Sequence, residues 1–247
     1  MPLTRAEISA IAHSDHPVAC PLFESTVEML VEKLALTAGA RVLDIGCGPG
    51  VWLDFVTRGR RVDATGVDLA APSLQMAQAR LEGRGAALIE QDARSFLDAG
   101  PPAFDAILCN GSSHALGGFQ PMLAAIRNSL MSGGKALVSD GFWTVPPTPE
   151  ALAALDGTED EFPDLAGLKH RAEAAGFAIE KCHVSTAEEW DDYEESWCGA
   201  LERHADEQAM SDADRKTIRE TAASHRAAYE DGYRNVLGFA ALILRAV

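Results

Sequence analysis

The chain has 247 residues, of which 47% are hydrophobic and 23% charged, and its formal net charge is −16 at pH 7. This composition is typical of a globular protein with one large α/β domain or at most two small ones. Scarce, scattered lysine and arginine disfavour a DNA or RNA partner, because proteins that grip a phosphate backbone normally carry a basic patch.

Membrane insertion and secretion are also disfavoured. No stretch approaches the ~20 apolar residues that a membrane helix needs, and the N-terminus has no apolar signal-peptide core. We therefore expect a cytoplasmic protein without a membrane partner. The five cysteines form no C-x-x-C pair, which disfavours disulfides and structural zinc. The acid-rich stretches at 156–164 and 188–207 predict a solvated face, with attraction of a cationic or amine substrate as the alternative.

The first half of the chain alternates between helical and strand patterns. Residues 24–36 place their apolar side chains at helical spacing, which predicts a helix after an N-terminal helical segment. Short apolar runs then predict strands at 41–45, 62–67, 86–90, 104–109 and 135–139. Helical stretches separate them at about 50–58, 72–82 and 119–131. This rhythm predicts a doubly wound, mostly parallel sheet.

The second half begins with a break in that rhythm. Residues 141–150 contain three prolines, which predict a loop. A helix at about 165–176 and a strand at 177–185 follow. Two long helices at about 187–207 and 212–233 then precede a final apolar, strand-like run. We interpret these two helices as an insertion above the sheet, near where substrates enter.

The strongest motif is VLDIGCGPG, in which an apolar strand carries Asp44 and then runs into a loop with three glycines, Gly46, Gly48 and Gly50. Glycines let the backbone turn tightly and approach a ligand closely. A dinucleotide-binding fingerprint would need glycine at position 51, which is Val51. The leading aspartate suits a ligand with a positive centre, such as an ammonium group, and would repel a pyrophosphate.

Two further acidic residues follow predicted strands. Asp68 ends the second strand in GVDL, where an acidic side chain can accept hydrogen bonds from two ribose hydroxyls; the alternative is a helix cap. Asp92 is expected to end the third strand in IEQDA and to accept from an adenine amino group. The backbone N–H of Ala93 is then available to the adenine ring.

Together these stretches, with LMSGGKALV at the fifth strand, resemble the class I methyltransferases that depend on S-adenosylmethionine (SAM). The resemblance covers residues 25–140 and implies SAM as cofactor, with S-adenosylhomocysteine as product. It implies a Rossmann-like fold with seven strands, an N-terminal helical segment and a helical insertion before the last strand. The expected cofactor-binding residues are Asp44, Gly46, Cys47, Gly48, Gly50, Asp68, Leu69, Asp92, Ala93 and Asn110.

We expect one methyltransferase domain, with an N-terminal cap at 1–36, a core at 37–186 plus 236–247, and an insertion at 187–235. The stretches GSSHALGGF and GFAALIL look more like the small-molecule methyltransferases of bacterial metabolism. The expected reaction is therefore methyl transfer to a nitrogen or oxygen of a small molecule. A homodimer is compatible with the sequence, which carries no signal of oligomeric state.

His114 is the candidate general base, since it follows the fourth strand and the ordinary pKa of histidine, ~6.5, suits proton removal near neutrality. A histidine that only packs or hydrogen-bonds is the alternative. Candidate substrate-binding residues lie in the N-terminal segment, after the fifth strand and in the insertion: His13, His16, Trp143, Trp190, Tyr193 and Trp197. For the insertion aromatics, core packing is the alternative interpretation.

Rival interpretations remain open. An aminopropyl transferase or an NAD-dependent dehydrogenase on a similar sheet is one class, and a non-catalytic SAM-binding module is another. Enzymes that methylate DNA bases carry an Asn/Asp-Pro-Pro-aromatic stretch where this chain has Asn110, Gly111, Ser112 and Ser113. Asn110 and Asp140, expected at the ends of neighbouring strands, offer too few carboxylates to favour magnesium, so we expect no metal.

Overall fold

The computed structural model describes residues 3–247. The chain forms two compact units. The sheet unit comprises Glu24–Gly141, Leu165–Val184 and Phe239–Val247. The helical unit comprises the described part of Met1–Phe23 together with Phe142–Asp164 and Ser185–Gly238.

The strands and helices follow one another in the order expected for an α/β chain. The strands are β1 (Arg41–Ile45), β2 (Asp63–Asp68), β3 (Ala87–Glu90), β4 (Phe104–Asn110), β5 (Leu130–Trp143), β6 (Phe177–Val184) and β7 (Leu237–Ala246). The helices are α1 (Arg5–Ala12), α2 (Glu24–Lys33), α3 (Val51–Thr57), α4 (Ala71–Arg80), α5 (Ala93–Asp98), α6 (Phe119–Ser129), α7 (Pro149–Leu155), α8 (Leu165–Ala174), α9 (Ala187–Glu207) and α10 (Asp212–Ala227).

The seven strands form one sheet in the order β3-β2-β1-β4-β5-β7-β6. β1 to β4 pair in parallel, as do β4 and β5, whereas β6 and β7 are antiparallel. The predicted Rossmann-like sheet, with a helical insertion before its last strand, is confirmed. The strand order reverses beside β1, because β2 and β3 lie on one side of it and β4 and β5 on the other. Ligands of such sheets bind at the carboxyl ends of the strands at that point.

Burial on both faces explains why the central strands are continuous apolar runs. Val42, Leu43, Ile107 and Leu108 have no exposed surface, because parallel strands are covered by helices on each side. On the amphipathic helix α6, Met122 and its apolar neighbours at helical spacing are buried. At ~25 cal/mol per Å² of apolar surface, this burial is the main force that holds the carboxyl ends of the strands together.

The fifth strand corrects one prediction. β5 continues through Trp143, so the loop predicted at 141–150 is shorter, and the helix α7 begins at Pro149 within it. The prolines are compatible both with the longer strand and with a helix that begins within the predicted loop. Pro146 and Pro147 follow the end of the strand, and a proline in the first helical turn loses no hydrogen bond because that N–H has no partner in the helix.

The helical unit contains α1, α7, α9 and α10, and its α10 continues into a π-helical turn, Ala228–Tyr233. Thr186 and Glu189 form a capping box that starts α9. Apolar residues of α1 and α9 pack with Ile218 and Ala222 of α10 in one buried cluster. The helix predicted at 212–233 is therefore α-helical only to Ala227, because the last turn is wider.

Candidate active site

The glycine loop follows β1 at the carboxyl edge of the sheet. Its three glycines, Gly46, Gly48 and Gly50, all have positive φ angles, of 67°, 50° and 75°. At Gly46 an added Cβ would lie 2.6 Å from the Cβ and Oγ atoms of Ser112, so that position has no room for a side chain. The loop therefore needs glycine for its backbone shape and, at Gly46, also for close packing.

Asp44 lies under this loop with an unsatisfied carboxylate. Its side chain is 2% exposed, and its Oδ2 atom has no hydrogen-bond partner among residues 3–247. Burial raises the pKa of Asp44 well above its ordinary value, and the negative charge of Asp68 raises it further. An anion that is buried without a partner is costly, so this site is suited to a cationic group of a ligand.

Asp68 connects the two neighbouring strand ends. Its Oδ2 accepts the backbone N–H of Gly48 and its Oδ1 accepts that of Ala70, each at 2.8 Å. The aspartate is not the N-cap of α4, because that position is Ala70. Each carboxylate oxygen can accept a second hydrogen bond, so the predicted role as a ribose acceptor stays open. The adjoining Leu69 is 68% exposed, an apolar surface at the same edge.

Asp92 has a different position from the expected one. β3 ends at Glu90, and Asp92 is the N-cap of α5, a helix that the sequence analysis missed. Its carboxylate accepts hydrogen bonds from the backbone N–H and the hydroxyl of Ser95, at 2.8 and 2.9 Å, and these bonds lower its pKa. The six-residue stretch was too short for its helical period to be recognised. Ala93, the first residue of α5, is buried.

β4 and β5 contribute another set of unsatisfied polar atoms. Asn110 ends β4 and pairs in register with Ser139 of β5. The Oδ1 and Nδ2 atoms of Asn110 and the Oγ of Ser139 are buried without hydrogen-bond partners in the described chain. Because buried polar groups are rarely left unpaired, these atoms mark a place for a polar ligand.

His114 lies on a short 3-10 helix, Ser113–Leu116, rather than on an irregular loop. Ser112, just before it, has its hydroxyl 3.4 Å from the carbonyl oxygen of Gly46 and 3.2 Å from that of Asn110. The imidazole of His114 is exposed. The turn that carries the candidate base is thus bonded directly to the glycine loop.

Sequence reasoning assigned no catalytic or binding role to Ser112, Ser139 or Asp140. Their positions depend on the register between β4 and β5, which no local pattern reveals. Asp140 is largely buried; burial raises its pKa, and hydrogen bonds from the Ser113 hydroxyl and the Gly141 N–H oppose that effect. Sequence reasoning weighed Asp140 only as a magnesium ligand with Asn110, from its expected place at the end of a strand.

The helical unit brings three of the predicted substrate residues together. Nδ1 of His13 donates to the carbonyl of Ser9 at 2.8 Å, so Nε2 is left to accept the hydroxyl proton of Tyr193 at 3.1 Å. His16 is buried edge-on to the Tyr193 ring, at 5.2 Å between centroids, and its Nε2 lies 3.6 Å from Asp192. Burial lowers the pKa of His13 and raises that of Tyr193, which favours the neutral forms of both.

The three tryptophans of the helical unit are dispersed. Trp143 is buried at the end of β5, and its indole N–H donates to a main-chain carbonyl. Trp190 stacks on Tyr229 at 6.3 Å, and Trp197 stacks on His225 at 3.8 Å. Each ring already has an aromatic or polar neighbour, which agrees with packing.

The part of the chain that the structure describes has neither a metal-binding cluster nor a membrane-spanning helix. Within residues 3–247, no group of three or more histidine, cysteine, aspartate or glutamate side chains is placed to hold a metal ion. No helix in the same part of the chain is both long and apolar enough to cross a membrane.

Comparison with known proteins gives a consistent result. Residues 42–134, which include the glycine loop and Asp68, match a family described as Methyltransferase domain. A SAM-dependent methyltransferase from Thiobacillus denitrificans, solved in complex with S-adenosylhomocysteine, is 28% identical, and the two chains cover each other completely with a TM-score of 0.85. The chain is a SAM-dependent methyltransferase with the Rossmann-like fold of its structural neighbours.

Two relatives of this methyltransferase illustrate how far the similarity extends. The uncharacterized protein YjhP of Escherichia coli (strain K12) is 28% identical over 193 residues, which are 76% of this chain and 77% of YjhP. The ubiquinone biosynthesis O-methyltransferase of Paracidovorax citrulli is 35% identical over 82 residues, 32% of this chain and 34% of that enzyme. The second match is confined to a part of each protein.

The residues at the carboxyl edge of the sheet fit SAM. The buried, unpartnered carboxylate oxygen of Asp44 suits a cation, and the amide of Asn110 is unsatisfied at the end of the neighbouring strand β4. The glycine loop leaves open space beside its backbone at Gly48. SAM carries an ammonium group and hydroxyls, which match this set of acceptors in charge and polarity.

Proposed function

We propose that this methyltransferase transfers the methyl group of SAM to a nitrogen or oxygen of a small-molecule acceptor. The proposed class of acceptor is based on one observation: the imidazole of His114 is exposed, on a turn that is hydrogen-bonded to the glycine loop. A base at that place is useful for acceptors that lose a proton on methylation, such as hydroxyl and protonated or N–H nitrogen groups. The similarity to an O-methyltransferase of ubiquinone biosynthesis supports such an acceptor.

The cofactor-binding roles are part of the proposal. Asp44 would pair with the ammonium group of SAM, and Asp68 would accept the ribose hydroxyls with the oxygen lone pairs that Gly48 and Ala70 leave free. Asp92 and Ala93 would contact the adenine. The remaining contacts would come from residues along the same edge: Gly46, Cys47, Gly50, Leu69 and Asn110.

The chain contributes mainly positioning and proton removal. When bound, SAM would supply a methyl group already activated on a sulfonium sulfur, which the acceptor atom would take up with release of S-adenosylhomocysteine. Alignment of reacting groups can contribute about 7–11 kcal/mol in well-oriented systems. His114 would take the proton that the acceptor loses and, being exposed, pass it to water.

Acceptor recognition is proposed for the helical unit. His13, His16 and Tyr193 form a polar and aromatic group. Nε2 of His13 accepts the Tyr193 hydroxyl, whereas Nε2 of His16 keeps its lone pair because Nδ1 donates to the carbonyl of Val18. Such a group suits an acceptor with a ring and a hydrogen-bond donor. Trp143, Trp190 and Trp197 are the further candidates. The net charge of −16 supports an acceptor other than a nucleic acid.

The test is to incubate the purified protein with SAM and pooled acceptors, sorted into amines, phenols, carboxylic acids and thiols, with bulk tRNA as a control. Release of S-adenosylhomocysteine is the readout. Release with an amine, phenol or carboxylic acid pool supports the proposal. Release with thiols or tRNA alone would contradict the acceptor class.

The non-catalytic alternative makes a different prediction. A SAM-binding module would bind SAM in a calorimetric titration and release no S-adenosylhomocysteine with any pool. An aminopropyl transferase would release no S-adenosylhomocysteine from SAM and would need decarboxylated SAM as its donor.

A further inference from the structure

Asp192 differs from other acidic residues of α9 in how its charge is balanced. Four carboxylates of this helix are hydrogen-bonded to basic or tyrosine side chains at 2.6–2.8 Å, those of Asp191, Glu194, Glu202 and Asp206. Within residues 3–247, only His16 lies within ion-pairing distance of Asp192, with 3.6 Å between Nε2 and Oδ2. That separation is longer than a hydrogen bond. The Asp192 side chain is 49% exposed, so a ligand can reach it.

The nitrogen of His16 that faces Asp192 is also a hydrogen-bond acceptor. Nδ1 of His16 lies 2.7 Å from the carbonyl oxygen of Val18, and since a carbonyl only accepts, Nδ1 carries the hydrogen. In the neutral imidazole, Nε2 then carries the lone pair. Two acceptors therefore face each other across 3.6 Å. A ligand nitrogen at about 2.8 Å from each of them would donate a hydrogen to both.

Tyr193, the next residue on α9, adds an acceptor to the same group. Nδ1 of His13 donates to the carbonyl of Ser9 at 2.8 Å, so the Tyr193 hydroxyl gives its proton to Nε2 of His13 at 3.1 Å. The hydroxyl oxygen keeps its lone pairs for another donor. The rings of His16 and Tyr193 are perpendicular, with 5.2 Å between their centroids, which keeps the acceptors close together.

The basic side chain that approaches this group is already paired. Arg203 of α9 forms an ion pair with Asp15, the residue before His16. The carboxylate of Asp192 is therefore left without a lysine or arginine partner among the residues that the structure describes. A positively charged donor for Asp192 would have to come from a ligand, and the net charge of −16 favours the approach of such a cation.

We propose that Asp192, together with His16 and Tyr193, binds an ammonium group of the methyl acceptor. The proposal rests on the proposed function, in which the helical unit recognises the acceptor, and it narrows the acceptor to the amines. The ammonium donates to the carboxylate of Asp192 and to Nε2 of His16, and Tyr193 accepts a further hydrogen from the ligand. Asp192 is thus a residue that determines specificity, because it favours a cationic acceptor over a neutral alcohol and repels a carboxylic acid.

The test measures binding of phenethylamine and of 2-phenylethanol, which has the same ring and length but no charge. NMR titrations follow the amide resonances of α9 with S-adenosylhomocysteine present, so that the amine does not compete for the proposed cofactor site. Wild type should bind phenethylamine about tenfold more tightly than 2-phenylethanol. Asp192→Asn should abolish this preference, and Asp192→Glu, which keeps the charge, should retain most of it. Asp206→Asn, the same substitution at an exposed position of α9, is the matched control and should keep the full preference.

Kinetics then connect the site with methyl transfer. With an acceptor from the amine pool, Asp192→Asn should raise KM about tenfold and leave kcat within about twofold, because the contact is made equally before and during the reaction. Equal binding of the two probes to wild type would overturn the proposal, as would a preference lost equally in Asp206→Asn. Turnover with the phenol or carboxylic acid pools alone would also overturn it and leave the proposed methyl transfer intact. Amine-selective binding without turnover from any pool would instead refute the proposed function, whereas the amine site would stand.

Discussion

Asp44→Asn is expected to change the stability of the protein and its affinity for SAM in opposite directions. The wild-type carboxylate is buried, and its Oδ2 has no hydrogen-bond partner within residues 3–247. Asparagine has nearly the same shape and carries no charge. The substitution therefore removes the cost of burying an anion without leaving a cavity.

The gain in stability follows from the cost of an unsatisfied buried group. That cost is about 1–3 kcal/mol, and more when the group is charged. For a chain of this size 1 kcal/mol changes Tm by about 2–4 °C. In the absence of SAM, we expect Asp44→Asn to unfold about 3–10 °C higher than wild type at neutral pH.

The same carboxylate gives the stability a pH dependence. Because the pKa of Asp44 is raised in the folded state, the folded protein binds more protons than the unfolded chain above the ordinary aspartate pKa. The contribution of this group to stability therefore falls as pH rises from that ordinary value through the raised one. Asp44→Asn should remove this fall, and its advantage in Tm over wild type should shrink toward acid pH.

The affinity for SAM should respond in the other direction. Breaking a buried ion pair by removing one partner costs about 3 kcal/mol or more, which corresponds to about 150-fold weaker binding. Calorimetric titration measures this difference directly. Wild-type affinity should rise with pH as Asp44 ionises, and the affinity of the variant should lack that dependence.

Two results would refute the reasoning about Asp44. One is a variant that binds SAM within about twofold of wild type, which would mean that the ammonium group lies elsewhere. The other is a variant that unfolds at a lower temperature than wild type without SAM. Asp98→Asn, an exposed aspartate of the sheet unit, serves as the control and should change neither quantity.

Three further predictions concern the same edge of the sheet. Asp68→Ala should weaken SAM binding about 100-fold, because the two proposed charge-assisted hydrogen bonds to the ribose, of ~1.5 kcal/mol each, are lost. It should also lower Tm, because the N–H groups of Gly48 and Ala70 lose their acceptor. Unchanged affinity in a calorimetric titration would remove Asp68 from the ribose site. His114→Ala should lower turnover at least 100-fold and leave SAM affinity within about twofold, whereas equal rates of S-adenosylhomocysteine release would mean that no base is needed there. Gly46→Ala should lower Tm and SAM affinity more than Gly39→Ala, since both glycines have positive φ but only Gly46 would bring a Cβ into contact with Ser112; equal losses in the two variants would exclude the steric explanation.

The local sequence pattern missed the helix α5 and placed the end of β5 too early. Six residues give less than two turns, so the period of α5 could not be distinguished from that of a strand end, and Asp92 was assigned to β3. Residues 141–143 were assigned to a loop because the prolines that follow are a strong local signal. Pairing between strands is a longer-range interaction, and it extends β5 up to those prolines.

In the candidate site, some residues could be identified from local motifs, whereas others are brought in only by strand pairing. Asp44, Gly46 and Asp68 were identified because each stands in a short motif whose spacing follows directly from the end of a strand. Asp140 and Ser139 are part of the site only because β5 lies beside β4 in a particular register. A one-residue shift of that register would move each of them to the opposite face of the sheet.

The sequence by itself determined the class of the fold, and it predicted candidate cofactor-binding residues at the carboxyl ends of the strands. Alternating buried strands and amphipathic helices are local patterns, and the glycines after β1 indicate a tight backbone turn at their own positions. Only the tertiary structure decided which buried polar groups lack partners, what bonds the His114 turn to the glycine loop, and which carboxylate lies next to that turn. These properties depend on distances between residues far apart in the chain, which are set when the sheet and its helices pack together.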